Sequence, residues 1–315
     1  MSSHAERPAA RPLLGLVGPT ASGKTELSLR LAEGLDAEIV SVDSMVVYRG
    51  MDVGTAKPTR AERARVPHHL LDLADPSEAF SVATYQEQGR SALRDVRARG
   101  RRALLTGGSG LYFRALVDDL EFPGTDPSIR SELEREGEVI GAEALHRRLA
   151  ETDPQAAAKI EPGNLRRVVR ALEVPALTGR RFSDFAAAWD VRRPAGVRVA
   201  GIDEPREILA ERIELRVRAM VDRGWIAEVR GLVERGFGAW LTATQAIGYA
   251  ELAQHLDGEL TLEEAVDRTV RRTKNLARRQ MAWFRRDPRI RWFPVGPRGA
   301  IEALDGIEAY LKEPG

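Results

Sequence analysis

The sequence predicts an α/β fold, in which a parallel sheet is flanked by helices and interrupted by a helical insertion. A short apolar run, LLGLV at Leu13–Val17, precedes a glycine-rich loop and a helix-like segment, which is the pattern of a buried strand, a loop and a helix. Two further strand-like runs, Glu38–Asp43 and Arg102–Gly108, alternate with helical sequence. This alternation favours a doubly wound sheet, in which ligands gather at the carboxyl ends of the strands.

The helices between these strands have recognisable signals. Leu27, Leu31 and Leu35 recur at helical spacing after the first loop. Ser81 is a residue type that caps helix N-termini, so a helix is predicted from there to about Arg99.

The middle of the chain interrupts the alternation of strands and helices. Residues 119–197 are rich in helical sequence and poor in strand signals. Pro175 predicts that one of these helices ends or kinks near Glu173–Val174. VRVAGID, at Val197–Asp203, predicts a return to the sheet, and long helices follow it.

Composition limits the class of protein. The 315 residues are 43% hydrophobic and 30% charged, which is typical of a globular chain, and there are no cysteines for disulfides or zinc-thiolate sites. The start of the chain lacks the apolar segment of a signal peptide, and no apolar run is long enough to cross a bilayer. We therefore expect a cytoplasmic protein that is not in the membrane.

The glycine-rich loop matches the phosphate-binding pattern G-x-x-x-x-G-K-[ST]. Its glycines allow backbone N–H groups to converge on phosphate oxygens at a helix N-terminus, the lysine adds a charge, and the Thr25 hydroxyl can ligate magnesium. The motif predicts a P-loop NTPase-like sheet, and ATP or another nucleotide would be its usual ligand. The predicted phosphate-binding residues are Gly18, Pro19, Thr20, Ala21, Ser22, Gly23, Lys24 and Thr25.

Asp43 ends the second predicted strand and Ser109 follows the third, so both should lie beside the phosphate loop. In a phosphoryl-transfer enzyme, Asp43 could hold magnesium or accept a proton from a hydroxyl. In a transferase that releases pyrophosphate, it could accept a proton from an attacking amine. A plain turn or helix-capping role for Asp43 is the structural alternative.

The C-terminal part is strongly basic although the whole chain has a formal net charge of only +1. From Arg268 to Arg291 there are ten basic residues and one acid, Asp287. Such a cluster is typical of polyanion binding, and an ordinary solvated helix face in an arginine-rich chain is the alternative.

Several segments resemble one known family, the tRNA dimethylallyltransferases, in their order along the chain. The resemblance extends from about Leu13 to Trp292. The matching segments are GPTASGKT (Gly18–Thr25), SVDSMVVYRGMDVGTAKPT (Ser41–Thr59), VPHHLLDLADP (Val66–Pro76), TGGSGLYFRAL (Thr106–Leu116), LRRVVRALEV (Leu165–Val174), ERIELRVRAMVDRG (Glu211–Gly224), TQAIGYAEL (Thr244–Leu252) and TKNLARRQMAWFRRD (Thr273–Asp287).

The resemblance implies transfer of a dimethylallyl group from dimethylallyl diphosphate to N6 of the adenosine 3′-adjacent to the anticodon in tRNA, with release of pyrophosphate. It implies a catalytic set in which Asp43 is the general base and Arg216 stabilises the departing charge. Ser109, where the family usually has threonine, completes this set. Magnesium is the implied cofactor. The implied tRNA contacts are Asp43, Ser44, Met45, Val46, Ser109, Arg166, Arg167, Arg170, Arg278 and Arg279.

The resemblance also implies a division of the chain. Residues 1–118 would form the first part of the P-loop core, 119–197 a helical insertion that contacts the anticodon stem-loop, and 198–315 the rest of the core with the arginine-rich tRNA-binding helices. A monomer without an obligate protein partner is expected.

Three other functions remain open from the residues alone. The phosphate loop also fits a kinase of a nucleotide or small molecule. A close enzymatic alternative is prenylation of free AMP or ATP, against which the helical insertion and the basic C-terminal part favour tRNA. An RNA-binding protein with an inactive site is the third, and the joint presence of Lys24, Thr25, Asp43 and Arg216 argues against it.

Overall fold

The computed structural model describes residues 12–118, 120–186 and 196–313. These residues form two compact units, the first made of 12–117 with 196–313 and the second of 118 with 120–186. Most of the second unit falls in the segment 119–197. Among the described helices, none is long and apolar enough to cross a membrane.

Strands and helices alternate through the first unit, and the second unit is helical. The strands are β1 Leu13–Val17, β2 Ala37–Ser41, β3 His68–His69, β4 Arg102–Gly107, β5 Val197–Asp203 and β6 Ile290–Pro294. The helices are α1 Lys24–Leu35, α2 Arg60–Arg65, α3 Val82–Ala98, α4 Gly110–Val117, α5 Pro127–Ile140, α6 Ala142–Thr152, α7 Pro154–Ala157, α8 Leu165–Thr178, α9 Phe182–Ala186, α10 Arg206–Asp222, α11 Trp225–Val233, α12 Tyr249–Leu256, α13 Leu262–Phe284 and α14 Leu304–Lys312.

The strands form one six-stranded sheet in the order β3-β2-β4-β1-β5-β6. All neighbouring pairs are parallel, with Leu14 beside Leu104 and Ser41 beside Thr106. Strands β1 and β2 are almost entirely buried, as expected of parallel strands with both faces covered. The predicted α/β fold with a parallel sheet and flanking helices is therefore confirmed.

The order of the strands decides where the site lies. Because β2, β4 and β1 are adjacent and parallel, their carboxyl ends meet at one edge of the sheet. The segments that follow them begin with Val42, Gly108 and Gly18, and so the predicted phosphate loop, Asp43 and Ser109 share this edge.

The helix signals in the sequence also hold. Ser81 caps α3 by accepting a hydrogen bond from the Thr84 N–H, and α3 ends one residue before Arg99. Helix α1 buries Leu27, Leu31 and Leu35 in the core of the first unit, together with β1, β2 and the C-terminal α14.

The second unit has its own core, which is formed mainly by α5, α6 and α8. Helix α8 does not end near Glu173–Val174 but continues to Thr178, so the predicted end was wrong, and a kink at this point stays a prediction. Pro175 lies in the last turn, where its missing N–H removes one hydrogen bond, and its carbonyl still accepts from the Gly179 N–H (2.9 Å).

Candidate active site

Two cavities lie where the segments that follow β1, β2 and β4 come together. The smaller cavity, of about 140 Å³, is lined by the phosphate loop from Thr20 to Thr25. The larger cavity, of about 350 Å³, is lined by residues of α10 and α13 among others. The two cavities share six lining residues, Thr20, Asp43, Thr55, Gly108, Arg216 and Gln280.

The phosphate loop is held in shape by its own polar groups and by contacts with α13 and β5. Gly23 adopts a φ of +82° at the start of α1, a conformation that favours glycine. The Pro19 carbonyl accepts hydrogen bonds from Ser22 Oγ (2.9 Å) and from Lys24 Nζ (2.5 Å). The Thr20 N–H donates to Gln280 Oε1 on α13 (2.8 Å). Gly18 packs on β5, where a Cβ would come 3.2 Å from Ile202.

Two cations face the phosphate loop. Part of the Lys24 side chain is exposed, but its ammonium is buried. This burial, with a further contribution from the Arg216 cation, lowers the pKa of Lys24 to about 7, against the opposing charges of Asp43 and Glu204. Burial also lowers the pKa of Arg216, which Asp43 opposes. Two like charges held close together in this way attract an anion.

Asp43 lies at the junction of the two cavities. Its Oδ1 accepts a hydrogen bond from the Met45 N–H (2.8 Å), so the turn role considered from the sequence is present and orients the carboxylate. Ser109 lines the larger cavity, and its N–H donates to the Val42 carbonyl (3.0 Å), which ties the ends of β2 and β4 together.

The residues after Asp43 divide between the cavities. Ser44 and Met45 line the larger cavity and Val46 lines the smaller one. Thr55, which contributes to both cavities, comes from the same segment.

Two charged side chains anchor this segment. Lys57, whose side chain is 1% exposed, donates to the Tyr48 carbonyl (2.7 Å), Asp52 Oδ1 (2.6 Å) and Asp72 Oδ1 (2.7 Å). Glu228 on α11 accepts hydrogen bonds from the N–H groups of residues 52, 53 and 54 (2.8, 2.8 and 3.2 Å) and from the Tyr249 hydroxyl (2.7 Å). The segment that carries Asp43 is therefore fixed by its downstream end.

One face of α13 forms a wall of the larger cavity. Its lining residues Thr269, Arg272, Thr273, Leu276 and Gln280 recur at helical spacing. Among the predicted tRNA contacts on this helix, Arg279 also lines the cavity, whereas Arg278 donates to Asn275 Oδ1 and does not line it.

The predicted tRNA-binding arginines Arg166, Arg167 and Arg170 lie on α8 of the second unit. Arg166 and Arg167 have exposed side chains. The Arg170 guanidinium donates to the carbonyls of Gly124 (2.9 Å) and Pro123 (2.5 Å) and to Glu173 Oε2 (2.8 Å). Arg170 thus holds the 123–124 segment on α8, a structural role that the sequence did not indicate.

A metal would find few protein ligands at this site. Within the described ranges, no group of three or more histidine, aspartate or glutamate side chains is arranged to hold one. Thr25 is exposed and belongs to the lining of the smaller cavity. This arrangement fits a magnesium ion that is held by one hydroxyl, by substrate phosphates and by water.

A comparison with known families agrees with this geometry. The sequence model described as IPP transferase matches residues 46–287, which include Arg216 and the whole of α13. The chain belongs to the IPP transferase family. The resemblance seen in the motifs is therefore confirmed, and the chain is a transferase.

Individual members of the IPP transferase family are similar over nearly the full length. A tRNA dimethylallyltransferase of Kineococcus radiotolerans is 53% identical over 307 residues, with 96% of each chain covered. The crystal structure of a tRNA isopentenylpyrophosphate transferase from Bacillus halodurans has 41% identity and a TM-score of 0.69, and covers 96% of this chain and 95% of that one. A eukaryotic dimethylallyltransferase acting on tRNA, at 23% identity and a TM-score of 0.76, shares the fold over 93% of this chain and 75% of its own.

Three contributors to this IPP transferase site were not singled out from the sequence. Gln280 lies in the segment TKNLARRQMAWFRRD, in which only arginines were predicted to contact RNA. Lys57 and Glu228 act through contacts between distant residues. The helical spacing of Leu276 and Gln280 was the one available signal for a cavity wall.

Proposed function

We propose that this enzyme transfers a dimethylallyl group from dimethylallyl diphosphate to N6 of the adenosine next to the anticodon, on its 3′ side, in tRNA, and releases pyrophosphate. The observation that carries the proposal is the meeting of the phosphate loop, Arg216 and Asp43 at one junction. Its relatives, which are tRNA dimethylallyl and isopentenyl transferases, support the same activity. Because the substrate would be tRNA, we expect the enzyme to work in the cytoplasm.

The diphosphate would lie on the phosphate loop as a leaving group. In the reaction the bond between the allylic C1 and the bridging oxygen breaks, and its electron pair goes to the diphosphate. Loop N–H groups from Thr20 to Thr25, together with Lys24 and Arg216, would stabilise the charge that develops there. Magnesium held by Thr25 would neutralise further diphosphate charge when it is bound.

The attacking group would be the adenine N6 amine. Its lone pair is delocalised into the purine ring, so positioning matters more than nucleophilic strength. As the new N6–C1 bond forms, Asp43 would accept the N6 proton, and the hydrogen bond from the Met45 N–H keeps its carboxylate oriented. The Ser109 hydroxyl would contact the reacting groups from the larger cavity.

The base would have to leave its stack to reach the larger cavity. Ser44 and Met45 would contact the flipped adenosine there from the segment anchored by Lys57, while Val46 lines the smaller cavity. Arg279, together with Arg278, would contact RNA phosphates from α13, and Arg166, Arg167 and Arg170 would do so from the second unit.

The test is nucleoside mass spectrometry after incubation of an anticodon stem-loop with dimethylallyl diphosphate and magnesium. We expect one adenosine to gain one dimethylallyl group, and the Asp43→Asn variant to give far less product at equal protein concentration. Free AMP and ATP are tested as acceptors beside the stem-loop. Equal activity on mononucleotides would overturn the tRNA assignment, and phosphoryl transfer from ATP without prenylation would favour a kinase.

A further inference from the structure

Gln280 contacts the backbone of the phosphate loop from α13. Its Oε1 accepts the Thr20 N–H at 2.8 Å, although the two residues are 260 positions apart in the chain. Thr20 is the first loop residue to line the smaller cavity, and its N–H is one of the donors that this kind of loop presents to phosphate. A neutral carbonyl oxygen is thus bound where an anionic oxygen would be expected.

The surroundings of Gln280 are adapted to this position. The side-chain amide lies against Gly108, where a Cβ would come 2.3 Å from Nε2 and 3.0 Å from Cδ, so any larger residue at 108 would displace it. Gln280 lines both cavities. Lys24 is satisfied in a similar way, because its Nζ donates to the Pro19 carbonyl at 2.5 Å. Two phosphate-binding groups therefore have protein acceptors.

Gln280 also belongs to the helix wall of the larger cavity. It is one helical turn from Leu276 and is adjacent to Arg279, and both of these residues line that cavity. A movement of the Gln280 side chain at the phosphate loop therefore changes the wall of the cavity in which the adenine is proposed to lie.

We propose that Gln280 is a positioning residue that holds the Thr20 N–H and is displaced from it by the donor diphosphate. The amide oxygen competes with the diphosphate for one donor, so it keeps the loop in its binding conformation at the cost of some affinity. Its displacement then changes the α13 wall beside Arg279, so that donor binding alters the acceptor cavity. The role assigned to Gln280 rests on the proposed function, because it requires a diphosphate as the ligand of the loop.

The test is calorimetric titration of inorganic pyrophosphate, with magnesium, into the full-length protein and its variants. Gln280→Ala removes the competing acceptor, so we expect pyrophosphate to bind about 3- to 10-fold more tightly, the range given by one neutral hydrogen bond. Gln280→Glu places a charged acceptor of nearly the same shape at the Thr20 N–H, and we expect binding at least about 10-fold weaker. Gln254→Glu adds the same charge on α12, outside the residues that line the two cavities, and should bind like the wild type.

Opposite shifts in the Ala and Glu variants would support competition, because a merely structural contact would weaken binding in both. In prenyl transfer, Gln280→Ala should lower the KM for the donor with little change in kcat. Weaker pyrophosphate binding by Gln280→Ala would mean that the amide supports the loop or binds phosphate directly, and either result would overturn the proposal. Unchanged binding in both variants would do the same. A wild-type protein that binds no pyrophosphate would instead overturn the proposed function together with this role.

Discussion

Lys57 offers a sharp test of how the segment that carries Asp43 is fixed. The Lys57→Met substitution keeps most of the side-chain volume and removes an ammonium that is almost completely buried. Its three acceptors respond differently to this loss. Asp52 has a side chain that is 59% exposed and will be hydrated, and Asp72 keeps its ion pair with Arg63 (2.7 Å).

The remaining acceptor, the Tyr48 carbonyl, determines the size of the effect. Tyr48 is 1% exposed, so its carbonyl loses a charge-assisted hydrogen bond at a site that water reaches poorly. Breaking a fully buried pair costs about 3–5 kcal/mol, and the exposure of Asp52 reduces this figure. We expect a loss of about 2–4 kcal/mol in the free energy of unfolding.

Equilibrium denaturation in urea measures this loss, and Lys312→Met is the matched control. Lys312 pairs with Glu308 at 2.6 Å, but its side chain is 53% exposed, so its removal should cost less than about 1 kcal/mol. Lys57→Met should also lower prenyl transfer through poorer placement of Asp43, whereas Lys312→Met should not. Equal stability losses in the two variants would refute the anchoring role of Lys57.

Three further outcomes follow from the site and its supports. Asp43→Ala should reduce turnover by about 10²–10⁴-fold with little change in tRNA affinity, and near-normal turnover in a steady-state assay would remove its catalytic role. Replacing Arg278 and Arg279 by Gln should weaken tRNA binding and reduce the slope of log K against log salt concentration by about one for each phosphate that is no longer neutralised. An unchanged slope in filter binding would show that both arginines are ordinary solvated surface residues. Gly248→Ala adds a Cβ 2.0 Å from Trp225 at a residue whose φ is +93°. In urea denaturation it should lower the free energy of unfolding by about 1–3 kcal/mol more than Gly258→Ala, because Gly258 also has a positive φ but has open space around it. Equal losses in the two variants would contradict the packing argument.

The edge of the sheet that holds the site could be predicted from local sequence. Parallel strands place their carboxyl ends together, so three strand-like runs followed by GPTASGKT, Asp43 and Ser109 were enough to bring these groups to one edge. The Ser81 cap and the leucine spacing of α1 depend on neighbours within a few residues, and both hold in the structure.

Other features could not be predicted because they depend on contacts between distant residues. Strand β3 has only two residues, and β6 follows an arginine-rich stretch that gives no alternating pattern, so neither produced a clear signal. The hydrogen bond between the Thr20 N–H and Gln280 Oε1 joins residues that are 260 positions apart. The resemblance implied an RNA contact for Arg170, whereas the three protein acceptors around its guanidinium become visible only once α8 is folded.

The central claim is that the phosphate loop holds a leaving group, so that carbon is transferred and the phosphates are released. The most direct measurement uses dimethylallyl diphosphate labelled separately in the allylic carbon and in the β-phosphate, with an anticodon stem-loop as acceptor. We expect the carbon label in the RNA and the phosphorus label in free pyrophosphate, in equal amounts. Phosphorus label in the RNA would contradict the account, because the loop would then deliver a phosphoryl group.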